Sequence, residues 1–316
     1  TNRLLLQQAN GQLKDVSKES GLNLIDRTQS AAFVDLDNDG NQDAVLAARY
    51  GLYIYQGNGD GSFRKVHSLM QDSPSIFSLA IGDYDSDGLL DLYVCSYYKS
   101  SSQERFVDMA NVTSFYDAKN GGKNKLFRNT SSDGEIQLED VTEAVGLDRE
   151  NYFLSLEASW HDYDDDGDLD LYVANDFGLN QFFRNDRGAF TNVIDSTGAQ
   201  DQNFSMSVTW GDWNRDGLSD LYVSNMYSSA GRRITNQKAF TENFTGDENS
   251  KIQHLAFGNS LFTQTKEGVF ENSSEAQAVW LGRWAWGNHF VDIDHNGWQD
   301  LLVANGYMTN TKDDDL

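Results

Sequence analysis

An all-β fold of small four-stranded antiparallel blades, repeated about five times, is what three features of this 316-residue sequence predict. A nine-residue acidic phrase recurs, starting at Asp35, Asp83, Asp162, Asp212 and Asp292. A short apolar run follows every copy. Between the copies lie fainter pairs of strand-like runs, each pair split by a glycine-containing turn. The unit therefore reads strand, acidic loop, strand, strand, turn, strand, at about 63 residues each.

In the first copy the first, third, fifth and ninth places are Asp35, Asp37, Asp39 and Asp43. The same places hold Asp83, Asp85, Asp87 and Asp91, then Asp162, Asp164, Asp166 and Asp170. The fourth copy has Asp212, Asn214, Asp216 and Asp220, and the fifth Asp292, Asp294, Asn296 and Asp300. Alternate side chains can converge only if the backbone curls tightly, and the sixth residue must then adopt a conformation that a Cβ obstructs. Glycine fills that place each time: Gly40, Gly88, Gly167, Gly217 and Gly297. Oxygen ligands gathered this way suit a hard cation such as Ca²⁺. An EF-hand begins alike but needs a bidentate glutamate at its twelfth place. Here the twelfth places are Leu46, Val94, Val173, Val223 and Val303, which excludes that motif.

The runs after the loops, residues 44–48, 92–96, 171–175, 221–225 and 301–305, are rich in β-branched and aromatic residues and suit strands covered on both faces. Two places before each first Asp stands Phe33, Ile81, Trp160, Trp210 or Phe290, and the two tryptophans are expected to pack between blades. The chain opens with the third and fourth strands of a unit and closes with the first and second of another. Together they are expected to make one blade, closing a five-bladed β-propeller over a single domain, residues 1–316, without open sheet edges. Successive loops start 48, 79, 50 and 80 residues apart, so two blades carry insertions, at about 97–123 and 226–258. A short helix is expected over residues 235–244.

Phrases such as Gly82-Asp-Tyr-Asp-Ser-Asp-Gly-Leu-Leu-Asp-Leu-Tyr-Val94 and Trp210-Gly-Asp-Trp-Asn-Arg-Asp-Gly-Leu-Ser-Asp-Leu-Tyr-Val223 resemble the FG-GAP or VCBS-type repeats of bacterial secreted proteins, related to the propeller of integrin alpha subunits. The resemblance spans nearly the whole chain. It implies about five Ca²⁺ ions, each held by side chains of the first, third, fifth and ninth places. The backbone carbonyl of the seventh place, at Asn41, Leu89, Asp168, Leu218 or Trp298, completes each set. Integrin propellers have seven blades, with such loops in only some of them.

The formal charge is −25, and 18 of the 20 side-chain ligand places are carboxylates, so much of the acidity is ligand. Empty loops of this kind repel themselves, which couples metal binding to folding. Extracellular Ca²⁺ modules work at roughly 10⁻⁴ to 10⁻³ M, a level the cytosol does not offer, so an extracellular, periplasmic or cell-surface location is expected. The acidity argues against nucleic acid, and no apolar run of about 18 residues suggests membrane insertion. The single Cys95 lies in an apolar strand and reads as a buried thiol.

Both insertions follow a second strand, so they rise from the face opposite the metal loops, where loops build function. That face is expected to present Arg49, Tyr50, Tyr97, Tyr98, Asp176, Tyr227, Arg283, Trp284 and Tyr307. Tyrosine, tryptophan and arginine combine flat apolar area with hydrogen-bond donors, which suits a protein or carbohydrate ligand and an adhesion role. His161 and His289 precede metal loops but at non-equivalent places, and no nucleophile elbow, phosphate-binding loop or zinc signature appears. The favoured reading is a secreted or cell-surface Ca²⁺-binding module for a protein or glycan. The alternative is a Ca²⁺-stabilised polysaccharide lyase or hydrolase with its site in the central funnel.

Overall fold

The computed structural model describes residues 2–71, 75–98, 116–242, 244–266 and 268–306. Contacts divide the chain into two compact units, each described by itself: residues 1–111, 120–155 and 185–190 form one, and 112–119, 156–184 and 191–316 the other.

The first unit begins with β1 (Leu5–Gln7) and β2 (Leu13–Asp15), an exposed antiparallel pair around a turn at Gly11. Then β3 (Thr28–Val34), β4 (Asp43–Ala48), β5 (Gly51–Gly57) and β6 (Phe63–Leu69) form a four-stranded antiparallel sheet in chain order. The pattern repeats in β7 (Ile76–Gly82), β8 (Asp91–Ser96), β9 (Lys125–Asn129) and β10 (Leu138–Asp140). The second strands β4 and β8 are buried along their whole length, as apolar side chains on both faces require. Val45, Ala47, Leu52 and Ile54 join Leu92, Val94 and Phe127 in one apolar core.

Farther along, β11 (Leu154–His161), β12 (Asp170–Asp176), β14 (Gln181–Asp186) and β15 (Ala189–Asn192) form the third four-stranded sheet, with the short β13 (Gly178–Leu179) pairing instead with β16 (Gln202–Asn203). A one-turn helix, α1 (Ile194–Thr197), precedes β16. The fourth sheet is β17 (Ser205–Gly211), β18 (Asp220–Asn225), β19 (Ser260–Lys266) and β20 (Val269–Asn272), and the chain ends in the antiparallel pair β21 (Ala285–Val291) and β22 (Asp300–Asn305). In the second unit Trp210 packs against Phe182 and Phe270 at ring distances of 5.7 and 6.1 Å, inside a core with Tyr172, Leu221 and Phe262. Its counterpart Phe33 is instead 52% exposed, with Phe63 5.8 Å away.

The chain is thus all-β and built of propeller-type blades. A further repeat lies in the bulges. The register shifts two residues into β3, β7, β17 and β21, between Thr28 and Ser30, Ile76 and Ser78, Ser205 and Ser207, and Ala285 and Gly287. The same local kink thus recurs in four first strands.

The second insertion carries three helices, α2 (Ser229–Thr235), α3 (Lys238–Thr241) and α4 (Gly246–His254); α3 is the short helix expected within 235–244, α2 ends where that stretch begins and α4 lies beyond it. Capping explains where α2 and α4 begin. Ser228 Oγ accepts from Gly231 N, and Thr245 with Glu248 forms a capping box. Of the first insertion, residues 99–115 lie outside the described residues.

Two kinds of staple tie each acidic loop to its surroundings. The ninth-place carboxylate accepts from the backbone N–H of the loop's second residue: Leu36 to Asp43 (2.8 Å), Tyr84 to Asp91, Tyr163 to Asp170, Trp213 to Asp220 and Ile293 to Asp300. Its other oxygen accepts from the third strand, from Gly57 to Asp43, Asn129 to Asp91 and Gln264 to Asp220. The end of a third strand then reaches the loop of another blade: Asn129 Nδ2 donates to Leu36 O (2.7 Å), Asn185 Nδ2 to Tyr84 O (2.7 Å) and Gln264 Nε2 to Tyr163 O (3.0 Å).

Asn129 is fully buried and also donates to Leu90 O, so Asn129→Ala strands the buried Leu36 carbonyl and the partly buried Leu90 carbonyl. A loss of about 2–3 kcal/mol is expected by denaturant unfolding, and a loss no larger than that of an exposed Asn→Ala change contradicts the staple.

Candidate metal centres and partner face

All five acidic loops share one backbone form. The first-place carboxylate accepts two N–H bonds, from the fifth residue and the sixth-place glycine: 3.1 and 2.9 Å at Asp35, and 3.0 and 2.8 Å at Asp292. Asp83, Asp162 and Asp212 do the same. The fifth-place side chain accepts from the seventh N–H, as in Asn41 to Asp39 (2.7 Å) and Trp298 to Asn296 (2.7 Å). These bonds curl the chain so that alternate oxygens share one side.

The glycines have φ from +84° to +93°, and a Cβ on any of them would meet no neighbour within 4 Å. The obstruction is therefore internal to the backbone, as expected for a left-handed residue. The fourth place is left-handed too: Asn38, Ser86, Asp165, Arg215 and His295 have φ from +54° to +60°. That feature was not read from the sequence. Asn and Asp hint at it, but serine, arginine and histidine do not.

Four loops bring three carboxylates together, one oxygen of each within 4.8 Å of the others: Asp35, Asp37 and Asp39; Asp83, Asp85 and Asp91; Asp162, Asp164 and Asp170; and Asp292, Asp294 and Asp300. Asn214 stands at the third place of the remaining loop and donates to Asp216. The residues fit a hard divalent cation. All donors are oxygens, and Asp85 Oδ1 is buried and accepts no hydrogen bond. Burial, only partly offset by backbone N–H donors, pushes the Asp91 and Asp220 carboxyls up to about 7 and raises Asp43. A bound cation reverses that logic and holds such groups ionised. His161 is different: it stacks on Trp210 at 4.9 Å and burial lowers its pKa, which is a packing role.

The expected ligand-face residues fall in both units. In the first, Arg49 lies over the Tyr50 ring at 5.5 Å in the turn from β4 to β5, while Tyr97 is buried edge-on to Tyr98 at 4.3 Å. In the second, Asp176 is buried at the end of β12. Tyr227 N donates to Arg283 O, and Met226 bridges to Trp284. Tyr307 lies outside the described residues.

Around Tyr227 the second unit assembles a cluster that the sequence did not reveal, because its members come from three separate segments. The Tyr227 ring is 5.4 Å from Trp280, which is 5.6 Å from Phe257. The Arg232 guanidinium, on α2, lies over both Trp280 (5.2 Å) and Phe257 (5.5 Å), and has no carboxylate partner among the described residues. Gly258, at φ +115°, permits this approach, since a Cβ there would lie 2.2 Å from Trp280 O. His254 stacks on Phe257 and bonds through Nε2 to the buried Asp201 at 3.1 Å. Tyr116, from the first insertion, donates to Glu248 of α4 at 2.6 Å, so the two insertions meet.

Residues 35–94 and 162–223 match the FG-GAP-like repeat, each match running from the first Asp of one loop through the strand after the next loop. No curated protein matches the chain in sequence. Among solved structures the chain is similar to the V. cholerae biofilm matrix protein Bap1, at 13% identity and a TM-score of 0.40 over 82% of this chain and 30% of that one. It is similar to the Trypanosoma rangeli sialidase in complex with the inhibitor DANA, at 11% identity and 0.40 over 86% of this chain and 40% of that one. It is also similar to BBS1N in complex with ARL6DN, at 12% identity and 0.34 over 88% and 76%. The chain spans less than half the length of the first two.

Relief of the fourth-place strain gives one test. Ser86→Gly is expected to stabilise the fold by about 0.5–1 kcal/mol and Ser86→Val to destabilise it by at least as much; equal melting points reject the left-handed assignment. A second test concerns pH. The hydrogen bond to Asp201 raises the His254 pKa above its ordinary 6.5 against the opposing effect of burial. A raised imidazole pKa contributes stability that is present below the unfolded value and is lost as the pH rises through the folded one. Amide exchange in α4 is therefore expected to quicken between pH 6 and 8 beyond its intrinsic rate, and His254→Gln should abolish that excess.

Proposed function

The chain carries FG-GAP-like repeats, and from that premise we propose that it is a Ca²⁺-stabilised β-propeller that works outside the cytosol and binds a protein or glycan through its inserted segments. The observation that carries the metal reading is the buried, undonated Asp85 Oδ1 set among the Asp83, Asp85 and Asp91 oxygens. In each loop the first, third, fifth and ninth side chains and the seventh carbonyl would hold the ion. Its charge would offset the mutual repulsion of the carboxylates.

The partner reading rests on Arg232, held over two aromatic rings with no carboxylate partner among the described residues, in a chain of formal charge −25. Stacking fixes the guanidinium plane and leaves its edge donors for an incoming acceptor. Tyr227, Trp280 and Arg283 supply the flanking apolar area and charge. No arrangement of nucleophile, base and orienting group accompanies them among the described residues, which favours binding over turnover.

Calorimetric titration of the full chain with Ca²⁺ tests the metal reading: Asp164→Ala should lower the stoichiometry by about one and lower the melting temperature. Unchanged stoichiometry removes that loop from the metal sites. A glycan array run beside a turnover assay on acidic polysaccharides tests the partner reading. Binding weakened by Arg232→Gln supports it, and cleavage abolished by changing His289, Tyr98 or Arg283 replaces it with an enzyme.

A further inference from the structure

In the first unit, the acidic loops at Asp35 and Asp83 are each met by a side chain from the same place on a third strand, and the two side chains differ in charge. Tyr55 pairs with Ala44 and Phe127 with Leu92, and both partners directly follow a ninth-place Asp. Gln56 and Arg128 are the next residues and therefore equivalent. Gln56 Nε2 donates to Asp37 Oδ2, at the third place of its loop, at 2.6 Å. Arg128 Nε lies 2.7 Å from Asp85 Oδ2, also at the third place, and its Nη2 donates to Asp87 Oδ2 at 3.1 Å. Arg64 donates to the far side of Gln56, at Oε1, which keeps that charge one side chain away from the first loop.

We propose that Arg128 is a built-in counter-cation of the Asp83 loop, so that this unit pairs one tighter calcium site with one weaker site that keeps its shape without metal. The inference rests on the calcium reading of the loops and adds a ranking to it. Arginine keeps its charge at any pH the fold survives, and its fork holds two carboxylates at fixed spacing, as a divalent ion otherwise would. Asp85 divides its two oxygens: Oδ2 faces the guanidinium, while Oδ1 is buried and accepts no hydrogen bond. Ion and arginine can therefore occupy the loop together, and the arginine weakens the ion by repulsion rather than by taking its place. The Asp35 loop has only a neutral amide at the matching position. When empty it keeps its carboxylate repulsion, and when filled it loses nothing to a neighbouring positive charge.

Reciprocal exchange tests this. Arg128→Gln and Gln56→Arg are made in the full chain, and each protein is titrated calorimetrically with CaCl₂ and melted in excess chelator. Arg128→Gln is expected to tighten one site about tenfold and to lower the melting temperature in chelator, and Gln56→Arg to weaken one site about tenfold and to raise it, as a like charge beside a divalent ion would produce. Calcium uptake by the native chain with affinities that neither exchange alters overturns the inference and leaves the loop reading standing. No uptake by the native chain overturns the loop reading, and the inference with it. The metal-free melting temperature separates a charge effect from a merely structural one, because a lost packing contact lowers it in Arg128→Gln but gives no gain in Gln56→Arg.

Discussion

A buried carboxylate in each of four blades, Asp43, Asp91, Asp170 and Asp220, organises this protein. The ninth-place aspartate sits where the acidic loop passes into the second strand, and its two oxygens accept from the loop behind it and from the third strand beside it. Asp43, Asp91 and Asp220 are fully buried, so the donors must be in place before the charge can be there at all. Loop conformation, strand pairing and blade order are thereby coupled through single side chains. The Asn129, Asn185 and Gln264 amides extend the coupling from one blade's third strand to another blade's loop.

That arrangement concentrates negative charge. The chain has 49 acidic and 24 basic residues, and the loops gather carboxylates within a few ångströms of each other. Backbone N–H groups offset part of the cost, but burial first, and the neighbouring carboxylates after it, keep Asp91 and Asp220 pushed up to about 7. A divalent ion supplies the remainder under the reading proposed above, and in the Asp83 loop an arginine supplies some of it from within the chain. The two solutions differ in consequence: an ion can leave, whereas a guanidinium cannot.

Most of the blade was legible in the primary structure because its determinants are local and repeated. Four of the two-sided apolar runs became wholly buried second strands, whereas the fifth, residues 301–305 in the terminal pair, is largely exposed; the glycines took positive φ, and in four loops the acidic places converged in groups of three. What escaped has a common cause. The left-handed fourth place is occupied by five different residue types whose side chains carry no shared signal. The third-strand amides look like ordinary polar strand ends until a second blade places a carbonyl against them. The helices of the second insertion obey their caps at Ser228 and Thr245, which a reading by periodicity passed over. The cluster of Tyr227, Arg232, Phe257 and Trp280 is drawn from three segments and has no pattern in any one of them.

The amino-acid order alone therefore determined the repeat, its strand–loop–strand grammar, the oxygen character of every loop and the acidity that follows from it. Each of these is a property of residues no more than nine places apart, where backbone geometry leaves few options. Tertiary structure decided which carboxylates are buried, which loop is faced by an amide and which by a guanidinium, and where Arg232 settles on aromatic rings. Those outcomes depend on the register between strands far apart in the chain, and a shift of one residue would turn every one of the side chains concerned to the opposite face.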